Sequence, residues 1–253
     1  MKKSQAYKAV TMTSNSEDEG FDCLARLLRE AHVPQDEILG NLGLFMPSKH
    51  LSRIMFFYEM YKRIVNTHGV ICEFGVRWGQ NLSLMISLRS IFEPFNRHRK
   101  VIGFDTFEGL SGVSENDGLS GRCVDGDYTV PQGYEQILEK ILASQEAINP
   151  MEHIRRFELV KGDAVQTVPQ YIRDHPETLV SLAIFDFDIY KPTKAAIEAI
   201  KPRLFKGSVL VFDELADDVH PGETMAVMEV LGLNNLRIQR LPMTSRVSYA
   251  VME

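Results

Sequence analysis

The feature that most constrains this chain is an alternation that begins after His68-Gly69, in which short apolar runs are followed by turns and helical stretches. VICEF (70–74), KVIGFD (100–105), RRFELVKGD (155–163), LVSLAIFDFD (179–188) and GSVLVFDE (207–214) read as buried strands. Helices are expected over 81–92, 164–173, 193–204 and around 224–231, and two last runs, LRIQRLP and RVSYAVM, read as strands. Strands alternating with helices demand a mostly parallel sheet, because each crossover lays a helix across one of its faces. The expected class is therefore α/β.

The N-terminal quarter has a different texture. Residues 1–20 are polar and aperiodic and read as a mobile tail. Residues 21–68 read as a helical extension, with Leu24, Leu27 and Leu28 at helical spacing. A second helix presents Leu51, Ile54, Met55, Tyr58 and Tyr61 on one stripe, with Ser48 as its N-cap. Residues 69–253 then form one doubly wound, Rossmann-like domain with helices on both faces of the sheet.

Charge and composition exclude several classes. The chain of 253 residues carries 28 basic and 34 acidic side chains, a net charge of −6, which argues against nucleic acid as a partner. No apolar run approaches the ~20 residues that span a bilayer, so no membrane partner is expected. The first residues lack the apolar segment of a secretory leader. Cys23, Cys72 and Cys123 are too few and scattered for a disulfide framework or a zinc site. The reading is a cytoplasmic protein.

The strands end in acids: Asp105, Asp163, Asp186 with Asp188, and Asp213 with Glu214. Ligands of open α/β sheets bind beyond the carboxyl ends of the strands. In Glu73-Phe74-Gly75-Val76-Arg77-Trp78-Gly79-Gln80 the glycines let a ligand approach the backbone, as a nucleotide-type cofactor would. The spacing is G-x-x-x-G, which disfavours a pyrophosphate cradle. Asp105 suits the two hydroxyls of a ribose, or a plain turn cap. Asp163 suits an adenine amino group, or the N-cap of the next helix. Asp186 and Asp188, two apart on a strand, are expected on one face beside Asp213 and Glu214, a set of oxygens that suits Mg²⁺, Mn²⁺ or Ca²⁺. Asp217, Asp218 and His220 follow and read equally as an exposed acidic turn. The glycine-rich stretch 108–129 reads as an active-site lid or as a bland loop.

These motifs together resemble those of class I S-adenosylmethionine-dependent methyltransferases, and more narrowly the macrocin O-methyltransferase (TylF-type) family. Glu73–Gly79 is similar to that family's acidic glycine motif, Gly103-Phe104-Asp105-Thr106-Phe107-Glu108-Gly109-Leu110 to its second-strand signature, and Asp186-Phe187-Asp188-Ile189-Tyr190 to its Asp-x-Asp-x-Tyr. The resemblance implies S-adenosylmethionine held by Glu73, Gly75, Arg77, Gly79, Asn81, Asp105, Thr106, Phe107, Asp163, Ala164 and Asp186. It implies Mg²⁺ or Mn²⁺ on Asp186, Asp213 and Glu214, Asp188 as general base, a sugar or nucleotide-sugar acceptor, and a homo-oligomer. The family pattern has a second aspartate where this chain has Glu214. O-methylation is the expected outcome, with C-methylation of a ketosugar, a catechol acceptor and a non-catalytic binding protein as alternatives. A nicotinamide-dependent sugar dehydrogenase would need a third motif glycine, which is absent, and a Tyr-x-x-x-Lys pair, whose spacing Tyr190 and Lys194 match.

Overall fold

The computed structural model describes residues 14–30, 33–118 and 123–253. Its centre is a seven-stranded sheet of β1 (Val70–Phe74), β2 (Val101–Asp105), β3 (Phe157–Lys161), β4 (Val180–Phe185), β5 (Val209–Phe212), β6 (Gln239–Arg240) and β7 (Ser248–Val251), in the order β3-β2-β1-β4-β5-β7-β6. The first five are parallel; β7 runs antiparallel to β5, and β6 antiparallel to β7. The order reverses between β1 and β4, which opens a crevice at their carboxyl ends.

Side chains alternate between two cores. Ile71, Val101, Leu182, Ile184 and Val211 face one, and Cys72, Ile102, Ala183, Leu210 and Phe212 the other. Helices α3 (Gln80–Phe92) and α4 (Tyr134–Ala147) close the first face, together with α2 (Ser48–Ile64); α5 (Ala164–Asp174), α6 (Tyr190–Ile200) and α7 (Pro221–Val230) close the second. Four phenylalanines occupy adjacent register positions near the ends of the central strands. Phe104, Phe74, Phe185 and Phe212 stack in that order, with ring centroids 5.3, 5.1 and 5.4 Å apart.

Several expectations change. Helix α1 (Asn15–Arg29) starts six residues earlier than read, because Ser14 and Glu17 close a reciprocal capping box that makes the polar stretch a helix start. Residues 1–13 of the expected tail lie outside the described residues. Pro47 holds the N-cap position of α2 and Ser48 is its first residue. The phase of α2 also differs from the predicted stripe. It buries Phe56, Phe57, Met60, Tyr61 and Ile64 and leaves Leu51, Met55 and Tyr58 outside, because both faces are apolar and the sheet takes the one with the larger side chains. Thus α2 is built into the main core. Helix α4 has no counterpart in the sequence reading; Tyr134, Leu138 and Leu142 carry its spacing. Strand β4 stops at Phe185, so Asp186 and Asp188 lie past the strand and do not converge through its pleat.

A buried arginine ties α2 to the sheet. Arg99 donates to the carbonyls of Ile64, Thr67 and Gly69 (2.8, 2.7 and 2.6 Å) and to Ser181 Oγ (2.6 Å), and it pairs with buried Glu93 at 2.9 Å. Arg99→Met leaves Glu93 without its cation and takes the guanidinium donor from the Thr67 and Gly69 carbonyls, whereas Ile64 O keeps its bonds from Thr67. Urea unfolding should report a loss of about 3–5 kcal/mol; a loss under ~1 kcal/mol would mean that water replaces the guanidinium.

Candidate active site

The cleft at the switch point has a volume of about 370 Å³, within the range of small-molecule sites. Its first wall is the turn between β1 and α3. Gly75 (φ 101°) passes so close to the end of β4 that a Cβ would strike the Asp186 carbonyl oxygen, and Arg77 holds a left-handed φ of 48°. Asp105 fixes this turn: Oδ2 accepts from the Val76 and Arg77 amides at 2.7 and 2.8 Å, and Oδ1 from Phe107 N at 2.6 Å. Its carboxylate is therefore already engaged by three backbone donors.

Glu73 lies beneath the turn. Asn81 Nδ2 donates to Oε1 at 2.8 Å, while buried Oε2 has no partner and the residue lines the cleft. Burial pushes the carboxyl up to about 8, although Asn81 and Arg53 pull it down. Asp163 is the side-chain N-cap of α5, accepting from Val165 N at 2.9 Å, and it lines the cleft as well. Of the residues expected around the cofactor, Glu73, Gly75, Arg77, Asn81, Asp105, Thr106, Asp163, Ala164 and Asp186 line this cleft. Gly79 and Phe107 are not among its lining residues. Gly79 faces Leu138, and Phe107 packs in the core.

The opposite wall is acidic. One oxygen each from Asp186, Asp188 and Glu214 lies within 4.8 Å of the others, a spacing that can hold a metal ion. Asp213, expected in that set, is held by Arg53: Nη1 pairs with its Oδ1, and Nη2 pairs with Asp186 Oδ2 at 2.9 Å. Arg246 pairs with Glu214 Oε1 at 2.9 Å, and buried Glu214 Oε2 has no partner. Burial, then the neighbouring carboxylates, raise Asp186 and Glu214 well above the usual range. Burial also raises Asp188, with His220 opposing it. Asp213 is lowered: burial opposes ionisation, but Arg53 and further hydrogen bonds outweigh it. Asp188 adopts φ 62°, a strained conformation of the kind found at functional positions.

Supporting contacts come from unexpected places. Glu223, buried on α7, accepts the Glu214 amide at 2.9 Å. Asp117 accepts from Tyr190 N at 2.5 Å and, through its other oxygen, from Ser114 N and Oγ. The 108–129 stretch is thereby pinned to the start of α6, next to Asp188; residues 119–122 lie outside the described ones. Asp217 caps its own turn by accepting from the Val219 and His220 amides. Tyr190 and Lys194 both bond Glu229 and do not line the cleft, so the dehydrogenase alternative loses its catalytic pair. Arg53, Arg246 and Glu223 escaped the sequence reading, since nothing local marks an arginine on an amphipathic helix as a partner of distant acids.

The strand order, the glycine turn and the crevice define a class I S-adenosylmethionine-dependent methyltransferase. Comparison with solved structures agrees. CalS11, a calicheamicin methyltransferase, is 36% identical, with 98% of each chain covered and a TM-score of 0.93. Its apo structure, described as a TDP-rhamnose 3'-O-methyltransferase, is also 36% identical, covering 95% of this chain and 96% of that one at a TM-score of 0.85. The O-methyltransferase NovP, 17% identical over 80% of each chain (TM-score 0.62), shares the fold. No family model and no curated protein matches the chain. The chain belongs to the S-adenosylmethionine-dependent methyltransferases.

The raised Glu73 carboxyl makes a prediction with a definite sign. A carboxyl at about 8 in the fold, against an ordinary value of 4.5, opposes folding increasingly as pH rises through that interval. Glu73→Gln removes the titration, so its melting temperature should gain on the parent's between pH 5 and pH 8. Its affinity for S-adenosylmethionine should fall about ten-fold, as expected if Oε2 meets a ligand donor. A pH-independent difference in melting temperature would show that Glu73 does not titrate in that interval.

Proposed function

We propose that this enzyme transfers a methyl group from S-adenosylmethionine to a hydroxyl of a sugar, most simply a nucleotide-linked deoxysugar, with a divalent cation at the acidic wall. The observation that carries this reading is that the glycine turn and the three convergent carboxylates line one and the same cleft. The identity shared with a TDP-rhamnose 3'-O-methyltransferase favours a sugar acceptor, and oxygen over carbon as the atom methylated. The three motifs at 73–79, 103–110 and 186–190 support the narrower macrocin O-methyltransferase assignment.

The residues present fit both groups. Glu73 Oε2 is a buried acceptor with no protein partner on a residue that lines the cleft, and Glu214 Oε2 is another at the acidic wall. Asp186 and Glu214 would hold Mg²⁺ or Mn²⁺, with Asp213 joined to Asp186 through Arg53; oxygen-only donors suit these ions. The acids at this wall, Asp217 and Glu223 included, outnumber Arg53 and Arg246, which favours an added cation.

When bound, S-adenosylmethionine supplies an activated methyl group, and the cation supplies charge that acidifies a hydroxyl and fixes its approach. Asp188 would accept the hydroxyl proton, from a position where its carboxylate converges with Asp186 and Glu214. Asp105 serves the cofactor by stiffening the turn, and Asp163 by capping α5 beside the cleft.

The extension carries a proposal of its own. Leu51, Met55 and Tyr58 on α2, with Leu39 and Leu44 before it, are exposed, and we infer that a second copy covers them in a homo-oligomer. No helix among the described residues is long and apolar enough to cross a membrane. The three cysteines are unpaired, which suits a reducing cytoplasm.

Asp188→Asn should bind S-adenosylmethionine with parental affinity in calorimetry, yet transfer methyl to a TDP-deoxysugar about 10²–10⁴-fold more slowly. Exhaustive chelation should abolish turnover, with Mg²⁺ restoring it. Full activity of the variant removes Asp188 as base, and full activity after chelation removes the ion. Light scattering should give a mass above one chain that falls to one chain in Leu51→Glu/Met55→Glu; a monomeric parent would rule out the oligomer.

A further inference from the structure

We propose that Arg53 is a resident counter-cation of the acidic wall, holding Asp186 and Asp213 while no divalent ion is bound and yielding them when one arrives. The proposal rests on the reading that these acids take a metal. Arg53 belongs to α2, and its two partners lie 133 and 160 residues further along the chain. Its terminal nitrogens do not grip one carboxylate in a fork. Nη2 takes Asp186 Oδ2 at 2.9 Å and Nη1 takes Asp213 Oδ1, so the guanidinium bridges two acids as a cation between ligands would.

Asp186 is the shared element. It is among the three acids whose oxygens converge for an ion, and it is one of the two that Arg53 already holds. Arg246 pairs with Glu214 and Asp217, whereas Arg53 is the ion-pair partner of both Asp186 and Asp213. A doubly charged ion bound there would repel a guanidinium on the same carboxylate. The side chain has somewhere to go. It lies over the Phe57 ring at 5.3 Å on one side, while 24% of its surface remains open on a cleft that it lines. The affinity for the ion is then set against the arginine it displaces, which is a mechanism for tuning metal binding without changing a ligand.

The test uses the full chain and Mg²⁺ itself, with calorimetry for affinity and thermal unfolding for stability. Arg53→Met should melt below the parent without Mg²⁺, because buried Asp213 and half-buried Asp186 lose the cation between them. It should gain more from Mg²⁺ than the parent does, and bind the ion at least about ten-fold more tightly, equivalent to about 1.4 kcal/mol. Arg53→Lys keeps the charge but cannot bridge both acids, and should fall between the two. Should Arg53→Met fail to fold, by circular dichroism, Arg53→Lys decides alone: tighter binding than the parent supports the displacement, and equal or weaker binding overturns it. A folded Arg53→Met that binds Mg²⁺ no better than a parent that does bind it overturns the counter-cation and leaves the metal reading standing. Absence of Mg²⁺ binding in the parent and both variants overturns the two together.

Discussion

Phe104, Phe74, Phe185 and Phe212 sit side by side on four parallel strands, and their stacking fixes the level at which each strand leaves the sheet. The next residues are Asp105, Gly75, Asp186 and Asp213. The ladder carries one step past the rings, with Gly75 N on Phe104 O, Asp186 N on Phe74 O and Asp213 N on Phe185 O. A slip of one residue in any strand would send its aromatic to the opposite core and displace the functional residue that follows. Hydrophobic packing thus sets the geometry of polar chemistry. The close approach at Gly75 follows directly, since the β1 turn and the end of β4 emerge at the same height.

Placing acids at that edge has an energetic cost, and the protein meets it with unlike devices. Asp105 is neutralised by backbone amides, so it is structural as well as site-lining. Asp213 is held ionised by an arginine. Asp186, Asp188 and Glu214 are left with raised proton affinity, and Glu73 and Glu214 each keep an orphan oxygen. Both orphan oxygens belong to residues that line the cleft, where a ligand can supply the missing donor.

Much of this was legible in the residues. Strands β1 to β5 were, because buried parallel strands are short, continuous apolar runs bounded by glycines and acids, and all but β3 reach a Phe followed by glycine or aspartate. The carboxylates of the site were legible for the same reason. Helix α4 was passed over although Tyr134, Ile137, Leu138, Ile141 and Leu142 recur at i, i+3, i+4, i+7 and i+8, a spacing that marks a helix. The phase of α2 was ambiguous because apolar residues cover both its faces, and only the sheet decides which is buried. Asp105 was read as a ribose ligand or a turn cap, and sequence does not reveal that three amides converge on it. Arg53 was invisible because its role exists only once residues far apart in the chain are brought together.

That separation bears on how the protein is made. Helix α2 leaves the ribosome long before β5, so Arg53 waits for an acid that is synthesised 160 residues after it. Contacts of such range form late, after the intervening units have closed. No nascent or truncated chain that stops short of β5 can assemble the acidic wall. An assembled acidic wall is therefore a certificate of completed folding, absent from every partially built form.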